Sequence, residues 1–171
     1  MGMVIDGKWI DDDEKFRNPT GGAFVRPQSV WRDTITADGS SGFKAEPGRY
    51  HLFLAPSCPW AHRTQIVRRL KGLEDVISVT LSDLPRITSW AYTADPNYTG
   101  RVTVPTLWDR QKKTIVNNES SEIIRMLNTE FDEWAANDLP DLYPEAHRAE
   151  IDTLNERIYE TVNNGVYRCG F

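Results

Sequence analysis

A mixed α/β domain followed by a helical segment is the architecture this sequence predicts. Three observations carry it. An apolar run, "RYHLFLA" at 49–55, breaks at Pro56-Ser57-Cys58-Pro59 into a charged, helix-prone stretch that closes at Gly72. Two β-rich runs, "RVTVPTLWD" and "KTIVNN", lead into "NESSEIIRMLNTEFDEWA", where Ile123, Leu127, Phe131 and Trp134 recur at helical spacing. Residues 145–167 then carry Ile151, Leu154, Ile158 and Val162 on one helical face.

Residues 1–48 are rich in Asp, Gly, Pro and Ser, and read as an extended wrap with little regular structure that packs Trp9, Phe16, Phe24 and Trp31 onto a core. The domain proper spans 49–135. "RYHLFLA" alternates as a buried strand. Pro59 suits the first helical position, where the N–H it lacks has no intrahelical partner. Ile66, Val67 and Leu70 supply the inner face of that helix, and Gly72 stops it. "DVISVTL" at 75–81 makes a second strand, parallel to the first because residues 56–74 give a crossover of sufficient length. Residues 82–100, with Pro85, Pro96 and Gly100, are irregular. A proline is disfavoured in a central strand, so Pro105 begins one after a special turn, and "KTIVNN" pairs back as a hairpin. After the helix, residues 136–144 form a polar linker, and 145–171 hold the last helix. A βαβ unit followed by a ββα unit is a thioredoxin-like layout.

The 171 residues suffice for one domain or two small ones. A net charge of −5 without a basic block excludes a nucleic-acid partner. The apolar runs are too short for a bilayer, and Met1 to Asp13 lack the apolar core of a secretory signal, so no membrane association is expected. Two cysteines 111 positions apart make no disulfide framework, and a reducing cytoplasm fits them.

Cys58 stands where a helix begins. Unpaired N–H groups and the positive end of the helix dipole stabilise a thiolate there, and Arg63 adds positive potential one turn on. No second cysteine follows three residues later, so an external thiol must resolve any mixed disulfide. The competing reading is an inert cysteine at a turn. His62, four residues after Cys58, would give zinc two ligands where about four are needed. No metal is expected, and His62 reads as packed or hydrogen-bonded within the first turn. Cys169, in "YRCGF", reads as a packed core thiol.

Two further features outline a groove. A cis bond before Pro105 would present the N–H and C=O of Val104 to an extended peptide. "NNESSE" at 117–122 opens a helix whose N–H groups near Glu119 and Ser120 could hold a carboxylate, while the Glu119 side chain could take an ammonium group. An ordinary helix cap explains the same residue types. Together these features suit a peptide with a free amino-acid end and a thiol, which is the shape of glutathione.

The blocks "GGAFVRPQSVWRDTI", "SCPWAHRTQIVRRLKGLE", "ADPNYTGRVTVPTLWDRQKKTIVNNESSEIIRML" and "RIYETVNNGVYRCGF" together span most of the chain. In them the sequence resembles the glutathionyl-hydroquinone reductases, the Xi class of glutathione transferases. The resemblance implies a thioredoxin-like domain followed by the start of an all-helical glutathione-transferase domain, with glutathione as cosubstrate and glutathionyl-hydroquinones as substrates. It implies Cys58 as nucleophile, Val104 and Pro105 holding the glutathione main chain, Glu119 and Ser120 its γ-glutamyl end, and Arg101 near its glycine carboxylate. Tyr159 and Tyr167 fall on the helix that lines the family's aromatic acceptor site, and Tyr159 is the one expected to act. A homodimer is among the assemblies it allows. The sequence departs from the family pattern twice. "LSDLPRITSWAYTADPNY" is shorter than the family's segment, which carries a glutathione-contacting tryptophan, so Trp90 is the candidate replacement. The family's helical domain also continues far past the position of Phe171, so the chain reads as a fragment, splice form or truncated version. A glutaredoxin-like or dehydroascorbate-reductase-like thiol transferase, and a non-catalytic remnant that binds glutathione or a partner protein, are the competing functions.

Overall fold

The structure is a computed structural model that describes residues 3–11, 29–81, 89 and 91–170. These form two compact units, one running to Pro140 and the other beginning at Asp141.

The first unit is built on a four-stranded sheet. Its strands are β3 (Tyr50–Leu54), β4 (Ser78–Leu81), β6 (Thr106–Asp109) and β7 (Thr114–Asn117), in the order β4-β3-β6-β7. β3 and β4 are parallel, and α1 (Pro59–Leu70) crosses between them. β6 runs antiparallel to β3 and turns back through a hairpin into β7, with a register shift between Leu107 and Trp108. α2 (Ser120–Thr129) follows β7 directly and continues into a short 3-10 turn at Asp132–Trp134. This βαβ–ββα order is the expected thioredoxin-like layout.

Strand side chains alternate between two cores, as a pleated strand requires. Leu52, Leu54, Leu107 and Val116 join Ala61, Ile123, Met126, Leu127 and Phe131 on the helical side. Phe53, Trp108 and Ile115 face the other way, onto Val4, Ala91 and Tyr92. Inside α1 the expected face is corrected. Ile66 and Leu70 are 44% and 45% exposed, and the inward positions are Ala61, Thr64 and Arg68, with Val67 partly buried. Arg68 takes an inward place because its guanidinium reaches the carbonyls of Ile77 (2.6 Å) and Glu74 (2.9 Å).

The N-terminal stretch carries more regular structure than an extended wrap. β1 (Met3–Ile5) pairs antiparallel with β2 (Lys8–Ile10) and with β5 (Gly100–Arg101) in a second, three-stranded sheet. The turn between β1 and β2 needs positive φ at Asp6 and Gly7, which Asp tolerates and Gly adopts freely. Trp9 and Trp31 pack on the Tyr92 cluster as expected, whereas Phe16 and Phe24 lie outside the described residues. An ion pair between Arg49 and Asp109 is buried at the end of β6, with N···O 2.6 Å and the aspartate fully enclosed. Buried polar groups of this kind persist only when paired.

The second unit is one helical run. A 3-10 turn (Glu145–His147) enters α3 (Arg148–Ile158), then a π-helical turn (Tyr159–Asn163), then α4 (Asn164–Gly170). Its lead-in is tied down by the Tyr143 hydroxyl donating to Asp152 (2.5 Å) and by Arg148 stacking on the Tyr143 ring. The stripe Leu154, Ile158 and Val162 is exposed, and α3 has no buried residue. Cys169 is also exposed, which corrects the expectation of a packed thiol.

Candidate functional site

Cys58 is the N-cap of α1, in extended backbone, with Pro59 at the first helical position. Its carbonyl accepts the first helical bond from the His62 N–H (2.9 Å), while its side chain caps nothing. The thiol is half-buried and lies 3.5 Å from the Val104 carbonyl oxygen, to which it donates. The His62 side chain is exposed, not packed into the turn.

Val104–Pro105 is cis, and β6 begins at the next residue, as the sequence predicts. The loop before it is held by a polar cluster. The Tyr92 hydroxyl lies 2.9 Å from the Thr103 carbonyl and 2.8 Å from Thr106 Oγ1, and the Asn118 amide donates to Thr103 Oγ1 (3.1 Å). Asn118 therefore links the Val104 loop to the start of α2. Its Oδ1 is enclosed and has no hydrogen-bond partner among the described residues. Neither Asn118 nor Tyr92 stood out in the sequence. Asn118 fits a plain cap motif, and Tyr92 falls in a segment without periodicity.

At the start of α2, Glu119 is the N-cap and accepts from the Ser121 N–H (3.2 Å). Asn117 braces the turn by accepting the Glu119 N–H (2.7 Å) and donating to Glu122 (2.8 Å). Arg32 donates to the same carboxylate and, with Asn117, holds Glu122 below the usual carboxylate range against the opposing effect of burial. Arg63 reaches from α1 to this helix start. Its guanidinium donates to Ser120 Oγ from Nε (3.0 Å) and Nη2 (2.6 Å), and sits 3.8 Å from Glu119. One arginine thus joins the first turn that carries Cys58 to the Glu119–Ser120 pair.

The structure therefore assembles two parts of the expected set directly: Cys58 with Val104 before Pro105, and Glu119 with Ser120, tied through Arg63. Arg101 sits in β5 opposite Met3, three residues before Val104. Tyr159 opens the π-helical turn of the second unit and is 38% exposed. Trp90 lies outside the described residues, as does the side chain of Tyr167. Among the described residues no group of three or more His, Cys, Asp or Glu side chains could hold a metal ion, and no helix is long and apolar enough to cross a membrane.

Residues 57–130 match the family model described as the glutathione S-transferase N-terminal domain. Over its whole length the chain is 49% identical to the glutathionyl-hydroquinone reductase PcpF of Sphingobium chlorophenolicum, of which it covers 60%. It is 46% identical to the glutathionyl-hydroquinone reductase YqjG of Escherichia coli, of which it covers 61%. Among solved structures, the Xi-class transferase of Natrialba magadii superposes with a TM-score of 0.83 at 42% identity, across all of this chain and 57% of that one. The glutathione-bound YqjG structure from Escherichia coli gives 0.79 at 42% identity, across 99% of this chain and 58% of that one. The chain thus spans about 60% of the length of these curated relatives.

Proposed function

The chain belongs to the glutathionyl-hydroquinone reductases, the Xi class of glutathione transferases, and from that premise we propose that it removes glutathione from glutathionyl-hydroquinones through a mixed disulfide on Cys58. The observation that carries the reading is the juxtaposition of the Cys58 thiol with the Val104 carbonyl at 3.5 Å. An extended peptide paired with the Val104 backbone would bring a cysteinyl sulfur beside the nucleophile.

In the proposed reaction the Cys58 thiolate attacks the thioether sulfur of the substrate. The sulfur–sulfur bond forms as the ring carbon–sulfur bond breaks. The ring carbon keeps the electron pair and takes a proton, from Tyr159 or from water, so the hydroquinone leaves reduced. A second glutathione, as thiolate, then attacks the glutathionyl sulfur of the mixed disulfide. Oxidised glutathione departs and the Cys58 thiolate returns. One glutathionyl-hydroquinone and one glutathione become one hydroquinone and one oxidised glutathione, a ping-pong sequence of nucleophilic catalysis. Glu119 and Ser120 hold the γ-glutamyl end, and Arg101 and Trp90 are candidates for the remaining contacts. The scheme needs Cys58 to stay reduced, which a cytoplasmic setting supplies.

The test is turnover of glutathionyl-menadione with glutathione, followed as formation of oxidised glutathione, for the chain and its Cys58→Ser variant. The reading expects turnover that Cys58→Ser abolishes. Turnover that survives the substitution would overturn it.

A further inference from the structure

We propose that Arg63 sets the specificity of the amino-acid subsite, making it select a ligand end that carries a carboxylate beside an ammonium group. The inference deepens the glutathione reading and rests on it. Three observations lead there. First, Ser120 Oγ accepts two N–H groups from Arg63, at 3.0 and 2.6 Å. A hydroxyl has two acceptor lone pairs and one hydrogen, so these contacts leave donation as its remaining role. No acceptor takes that hydrogen among the described residues, although Ser120 is only 4% exposed. Second, Glu119 uses Oε1 to accept both the N–H (3.2 Å) and the hydroxyl (3.0 Å) of Ser121, while no described residue engages Oε2. Third, the guanidinium is held from two sides, by the Trp60 ring 5.0 Å from its central carbon and by Glu119 at 3.8 Å.

The chemistry of this cluster is directional. Arg63 leaves the Ser120 hydroxyl its donor role and puts a positive charge beside it, which suits a carboxylate. The open oxygen of Glu119 suits an ammonium group. An α-amino acid carries both charges on one carbon, and the γ-glutamyl end of glutathione is such a group. Arg63 acts through Ser120 and by its field, so it is a positioning residue. Because α1 carries both Arg63 and Cys58, the same helix also fixes the subsite relative to the nucleophile.

Two probes separate this role from a structural one. They are glutathione and γ-aminobutyryl-cysteinylglycine, which is glutathione without its α-carboxylate. Their affinities are measured by calorimetry on the full chain and on Arg63→Met and Arg63→Lys. The proposal expects the parent chain to prefer glutathione by tenfold or more, the span that a charge-assisted hydrogen bond covers. Arg63→Met should weaken glutathione by about that factor and leave the analogue within about threefold, so that the preference disappears. Arg63→Lys keeps the charge without the paired donors and should fall between. If the preference is unchanged in whichever variant folds, or both probes weaken equally, the proposal is overturned. Absence of glutathione binding to the parent chain would instead defeat the underlying reading, and the inference with it.

Discussion

Glu119 and Ser120 owe their positions to where a strand hands over to a helix. Asn117 ends β7 and pins the turn by accepting the Glu119 N–H, which places Glu119 at the N-cap and Ser120 at the first position of α2. If they hold the charged end of glutathione, Glu119→Ala and Ser120→Ala should each weaken its binding by about 1–3 kcal/mol with little change in folding. Unchanged affinity by calorimetry would leave them as a helix cap. The ion pair of Arg49 and Asp109 belongs to stability instead. Burial pushes the Asp109 carboxyl up, yet hydrogen bonds from Arg49, Lys112 and Gln111 win and hold it low. Asp109→Asn leaves the buried Arg49 guanidinium with only the more exposed Glu46 (2.8 Å) as counter-charge, and should cost about 3 kcal/mol in urea denaturation. His51 gives the fold a pH dependence. Its ring, wedged between Ser78 (2.7 Å) and Thr80 (2.9 Å), is pushed down to about 4, chiefly by burial and then by Arg110 and Arg68. Below the ordinary histidine value of 6.5 the unfolded chain takes up a proton that the folded chain refuses. Stability from this group is therefore complete above that value and declines as pH falls towards 4. Melting temperatures between pH 7 and 5 should drop more steeply for the parent chain than for His51→Gln.

The end of α1 shows how an element is terminated by sequence and locked by packing. Gly72 adopts φ +65°, and a Cβ there would stand 2.8 Å from the Ala136 side chain. Asn137 meanwhile donates to the carbonyls of Arg69 (3.3 Å) and Leu70 (2.9 Å). Gly72→Ala combines a conformational penalty with a clash and should destabilise the first unit by more than about 1 kcal/mol, measured by chemical denaturation. The stop at Gly72 was legible because glycine is the common residue for a left-handed helix end. The phase of α1 was not. Apolar spacing favoured Ile66 and Leu70, but inward positions went to Thr64 and to Arg68, whose charge is met by backbone carbonyls invisible in one dimension. The hairpin before α2 and the strand start after Pro105 were legible from proline and alternation. β1 and β2 were missed because three-residue strands carry too little periodicity. Cys58, Val104 and the Glu119–Ser120 pair could be read from local motifs. Their bracing by Arg63, Asn118 and Tyr92 could not, because it depends on contacts between residues distant in sequence.

Across the molecule, burial divides the two units sharply. The first encloses Leu52, Ile77, Leu107, Ile123 and Phe131 completely. In the second, Leu154, Val162 and Val166 are 54%, 57% and 64% exposed. Local stability follows buried contacts, so amides of 148–170 should exchange with deuterium far faster than those of β3, β6 and α2. Equal protection in both would show that the helix gains cover in solution. The central claim is that the first unit alone directs a glutathione sulfur to Cys58. The most direct test exposes the full chain to oxidised glutathione and determines its intact mass, with peptide mapping of the adduct. The account predicts a single glutathionyl group on Cys58, lost in Cys58→Ser and formed more slowly in Glu119→Ala. An adduct forming first on the more exposed Cys169, or equally on both cysteines, would contradict it.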